Sequence, residues 1–86
     1  GEGEARAKVL AEVQLLREAR QWETAREVLT QANLRFADDP DLLYEQSMME
    51  EKLSHVDEME CLLRRVIALR PDHHHAHNAL GVPLAD

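Results

Sequence analysis

Ala25-Arg26-Glu27-Val28-Leu29-Thr30-Gln31-Ala32 is apolar at 25, 28, 29 and 32, and the stretch Met59-Glu60-Cys61-Leu62-Leu63-Arg64-Arg65-Val66 is apolar at the matching places. Spacings of three and four put each set on one stripe of an α-helix. Around the first stretch the stripe extends to Trp22 and Phe36. Around the second it takes in Val56, Ile67 and Leu69.

Shifting the chain by about 34 residues superimposes the two stretches, pairing Ala25 with Met59, Leu29 with Leu63 and Ala32 with Val66. The same shift aligns Val9 with Leu43 and His77, Val13 with Ser47 and Gly81, and Arg20 with Ser54. Each long helix therefore has a partner one period away.

Working outward, Ala5, Val9, Val13, Leu16 and Ala19, with Leu10 and Leu15 beside them, predict a first helix from about Glu4 to Ala19. Glu18-Ala19-Arg20-Gln21 marks a turn before the second helix. Asp39 is placed to cap a third helix with its side chain, and Pro40 suits a first turn where no N–H is needed, so that helix runs to about Leu53. Ser54-His55 is the next turn, and Pro71 ends the fourth helix because the residue before a proline leaves the α region. Asp72 is expected to cap a fifth helix from His73 to about Leu80, which Gly81 and Pro83 stop.

At this point the pattern resembles the tetratricopeptide repeat family. Ala25, Leu29 and Ala32 look like the family's small-large-small set on the second helix of a unit, with Trp22 as the aromatic that opens it. Leu69-Arg70-Pro71-Asp72 followed by Ala79-Leu80-Gly81 is similar to its junction into the next unit. Met59 and Val66 replace small residues, Ser47 stands where glycine is usual, and the first unit lacks the counterpart of Pro71. The likeness extends to repeats of bacterial multi-repeat proteins.

The resemblance implies an all-α, right-handed superhelix of antiparallel helix pairs, about two repeats plus the first helix of a third. All 86 residues are expected in one domain, with pairs at about 4–36 and 40–69 and an extra helix at 73–81. It implies a non-catalytic module that binds a peptide or helix of another protein on a concave face lined by the first helix of each unit. In that register the face carries Leu10, Gln14 and Arg17, then Tyr44, Met48, Glu51 and Lys52, then His75 and Asn78. The family's lysine and asparagine pairing for a terminal carboxylate is missing. A structural spacer within a longer solenoid is the alternative.

Composition agrees with a helical protein, being rich in Ala, Leu, Glu and Arg and only 3% aromatic. A charge of −7, from 17 acidic and 10 basic residues, disfavours nucleic acid or an anionic membrane as the main partner. No apolar run approaches the roughly 20 residues that span a bilayer. With one cysteine, Cys61, the chain has no internal disulfide, and compartment stays open. Gly1-Glu2-Gly3 at the start and the interrupted pattern near Asp86 suggest a piece of a longer protein, with Val66, Ile67, Leu69 and Leu80 near an uncovered apolar edge that favours self-association.

No nucleophile, phosphate loop or cofactor signature is legible. His55 reads as a turn residue, Cys61 as a packed or half-exposed thiol, and Glu50-Glu51 and Asp38-Asp39 as exposed acidic pairs. His73, His75 and His77 are the one cluster with a metal reading, since residues four apart on a helix can share an ion. Two such ligands do not make a centre, so no metal is expected.

Overall fold

The computed structural model describes residues 1–84, and these contain five helices and no strand. They are α1 (Glu2–Glu18), α2 (Trp22–Arg35), α3 (Pro40–Lys52), α4 (Val56–Leu69) and α5 (His74–Leu80). Each helix packs on the next.

Side-chain pairs fix the directions. Arg35 near the end of α2 reaches Glu2 at the start of α1, at 3.0 Å, so these two run antiparallel. Arg26, early in α2, meets Glu50, late in α3, while Asn33 and Gln46 meet between them. Arg6 contacts Asp39 and Asp41 at the head of α3, and Arg17 contacts Glu45 further along, so α1 and α3 run parallel.

The 34-residue period is visible in the backbone itself. Arg20 (φ 57°) and Ser54 (φ 64°) both sit in the left-handed region at the end of the first helix of their pair. In each turn the following N–H reaches back five residues, Gln21 to the Leu16 carbonyl and His55 to the Glu50 carbonyl, both at 2.8 Å. This six-to-one bond defines a Schellman ending, here with arginine and serine in the place that glycine usually takes.

Asp39 and His73, also one period apart, are the N-caps of α3 and α5. Asp39 accepts from the backbone N–H groups of Asp41 and Leu42, and His73 Nδ1 accepts from that of Ala76 at 3.0 Å. The cap expected from Asp72 is thus made by His73, because the repeat register and not the proline sets where the helix begins. Pro71 and Asp72 remain in the connecting turn.

The core forms two connected clusters. Val13, Ala25, Leu29, Ala32, Leu42 and Met49 make the first, and Leu43, Leu63, Val66 and Ala76 the second, with Met48 against both. Val66 is fully buried, so it does not belong to an uncovered edge. Leu15 is 66% exposed and Ala19 also lies outside, because the α1 stripe is centred on Val13. Helix α5 stops early, at Gly81 (φ 72°), where the first helices of the two full pairs continue through Val13 and Ser47.

Candidate protein-binding face

Because α1 and α3 run parallel, side chains one period apart repeat along one face. On α1 that face presents Leu10, Gln14 and Arg17, and on α3 Tyr44, Met48, Glu51 and Lys52. Between these helices and the start of α2 lies a recess of about 440 Å³ lined by Gln14, Arg17, Glu18, Trp22, Met48, Met49, Glu51 and Lys52. Its floor is apolar and its rim is charged.

Five of the expected contact residues therefore meet in one recess. Lys52 Nζ lies 5.4 Å from the centre of the Trp22 ring, a contact that pairs cation and indole. Arg17 Nη1 donates to Glu45 at 3.1 Å along the same face. Leu10 is half-buried and packs on the first core cluster, so part of its apolar area is spent inside.

Tyr44 and His75 meet elsewhere on the face. The Tyr44 ring lies 5.0 Å from His73 and 6.0 Å from His75, centre to centre, and the two imidazoles are 6.1 Å apart. The Tyr44 hydroxyl is held above its ordinary range, first by burial and then by the charges of Glu45 and Glu51, with Arg17 opposing them. Asn78 is exposed on α5 and lines none of these recesses.

Glu50 differs from its sequence reading as an exposed acid: its side chain is 1% exposed. Arg26 Nε donates to both carboxylate oxygens at 2.9 and 3.0 Å, Gln46 donates at 3.2 Å, and His55 Nδ1 lies at 2.7 Å. Burial alone would push this carboxyl up, but the hydrogen bonds from His55, Gln46 and Arg26 outweigh it and hold it below its usual range. The signal was available, since Glu50 continues the buried spacing of Leu43 and Ser47. His55 is a turn residue, as read, that also closes this network.

Asp39 is likewise only partly exposed, and it is lowered chiefly by the hydrogen bond from Arg6 at 2.6 Å. Both carboxyls have folded values below their ordinary ones, 3.8 for Asp39 and 4.5 for Glu50. Their contribution to stability is present above those ordinary values and lost as pH falls through the folded ones. The melting temperature should hold steady down to about pH 5 and fall below about pH 4.5. Thermal unfolding followed by circular dichroism checks this, and it should be compared with a Glu50→Gln variant whose fall is shallower.

His77 cannot serve the metal reading as expected from spacing. It is buried, with Nε2 2.7 Å from the Pro71 carbonyl oxygen and Nδ1 3.1 Å from that of Val82. His73 Nδ1 is taken by the helix cap. Among the described residues no group of three or more His, Cys, Asp or Glu converges for a metal ion. Cys61 is exposed, and no described helix is long and apolar enough to cross a membrane.

A second groove, of about 450 Å³, escaped sequence reasoning. Val9, Val28, Ala32 and Phe36 form its apolar lining, with Glu27, Gln31 and Arg35 at the rim. One period on, Cys61 and Leu62 take the places of Glu27 and Val28, and they face Arg26 and Thr30 of α2. Glu27 and Val28 thus hold on the first pair the outward place that Cys61 and Leu62 hold against α2 on the second. At the other end Ile67, Ala68, Leu80 and Val82 line a recess of about 300 Å³.

Helix pairs repeating every 34 residues, with matching turns and caps, define a helical-repeat protein whose first helices share one face. The TPR repeat-containing protein PA4667 of Pseudomonas aeruginosa is 40% identical over 77 residues, 90% of this chain. The chain spans 13% of that relative's length. No family model and no solved structure matches. The described residues are all-helical and form a tetratricopeptide-like solenoid of stacked pairs.

Proposed function

We propose that the chain is a non-catalytic interaction module that binds an extended peptide or a helix of another protein along α1, α3 and α5. The observation that carries this reading is the recess between α1, α3 and the start of α2, where Met48 and Trp22 offer apolar area amid Gln14, Arg17, Glu51 and Lys52. A groove of that make-up suits a segment with alternating apolar and polar side chains: the apolar floor takes anchors, the amide satisfies backbone groups and the charges fix register. The repeat-containing relative supports an interaction role.

Partner capture by wild type and by a Tyr44→Ala, Met48→Ala double variant tests it. Each truncated anchor is expected to cost about 1–2 kcal/mol, so retention should fall at least about tenfold while helicity is unchanged. Equal capture by the helical variant would overturn the reading. That outcome would favour a second one, a spacer within a longer solenoid, which is supported by the apolar recesses at Val28 and at Ile67 at the two ends of the array.

A further inference from the structure

Tyr44, His73 and His75 bring three rings within 5.0 to 6.1 Å of one another where α3 meets the start of α5. The group is preorganised. Tyr44 packs on the second core cluster, and the His73 ring is fixed by its hydrogen bond from the Ala76 N–H, while His75 stands exposed at the surface. Two carboxylates, Glu45 and Glu51, act on the Tyr44 hydroxyl, against one cation, Arg17. Glu45 is paired with Arg17, and Glu51 has no ion pair among the described residues.

The face of a tyrosine ring beside negative charge attracts a cation, and a flat guanidinium stacks on aromatic rings while donating to carboxylates. We propose that Tyr44, flanked by His73 and His75 and with Glu51 two turns further along α3, forms a subsite for an arginine side chain of the bound peptide. This rests on the peptide-binding reading above and adds to it the chemistry of one anchor. Glu45 is engaged by Arg17, so Glu51, which has no ion pair among the described residues, is the carboxylate assigned to the ligand.

The test is titration of the whole chain with N-acetyl-arginine amide, followed by NMR at the Tyr44 and His75 ring protons. N-acetyl-citrulline amide, neutral and of the same shape, is the control. Arginine is expected to give saturable shifts centred on these rings and to bind at least about threefold more tightly than citrulline. Glu51→Gln, a surface change that leaves the core intact, should reduce that preference to about half, and Tyr44→Leu should abolish the ring-centred response. Equal binding of arginine and citrulline, or shifts scattered away from the rings, would overturn the subsite. If partner capture still depends on Tyr44 and Met48 in that event, only the arginine assignment fails and the interaction face stands. If arginine binds as expected while capture is indifferent to those residues, the subsite stands and the peptide reading fails.

Discussion

Replacing Leu63 by alanine is expected to destabilise the chain by about 2–5 kcal/mol, the largest effect of any single change considered. Leu63 is fully buried and joins α4 to Leu43 and Ala76, so it ties the second helix pair to α5. Removing its isobutyl end leaves a cavity that neighbours on three helices cannot all close. A domain of this size has a total stability of about 5–15 kcal/mol, so the loss is a large share. Chemical denaturation should show the midpoint moving while the slope stays constant. Leu34→Ala, at a side chain 76% exposed, should change stability by less than about 0.5 kcal/mol, and comparable losses at the two positions would contradict the helix register.

Replacing Arg26 by methionine should cost about 1–3 kcal/mol at neutral pH, the second largest effect. The change keeps most of the apolar stem but strips the buried Glu50 carboxylate of the Arg26 Nε–H that its two oxygens share, leaving Gln46 and His55. Arg26 is itself 31% exposed, so solvent moderates the loss relative to a fully buried pair. A Glu50→Gln change in the Arg26→Met background should recover part of it by removing the stranded charge. Thermal unfolding of the two variants and the double variant measures the coupling.

Much of the architecture was legible because the apolar spacing of α2 and α4 is repeated one period apart, and because Asp39-Pro40 is a strong helix start. The buried polar residues were harder. Glu50 aligns with Leu16 of the first pair, so the repeat hides a charged residue at an apolar place, and only its partners Arg26, Gln46 and His55 make that tolerable. His77 aligns with Val9 and Leu43, and that alignment already pointed to an interior position. Spacing alone would also let His73 and His77 share an ion, which the buried His77 ring, held by the Pro71 carbonyl, does not support. The cap on α5 was misassigned to Asp72 because aspartate is the commoner cap, whereas a histidine nitrogen in the register of Asp39 performs the same task.

On the proposed face, residue types and register pick out Gln14, Arg17, Met48, Glu51 and Lys52, which line one recess. Trp22 continues the apolar stripe of α2, and its half-exposed ring lies beside Lys52 of α3, a meeting that no spacing rule conveys. The meeting of Tyr44 with two histidines from another helix is likewise a product of packing between pairs.

The central claim, that partners bind along α1, α3 and α5, is tested most directly by measuring partner retention of the Tyr44→Ala, Met48→Ala variant beside a Val28→Ala control in the groove lined by Val9 and Phe36. Retention at least about tenfold lower for the double variant, with the control near wild type and both chains helical, is the predicted result. Loss confined to the Val28→Ala control, or equal retention by all three proteins, would contradict it.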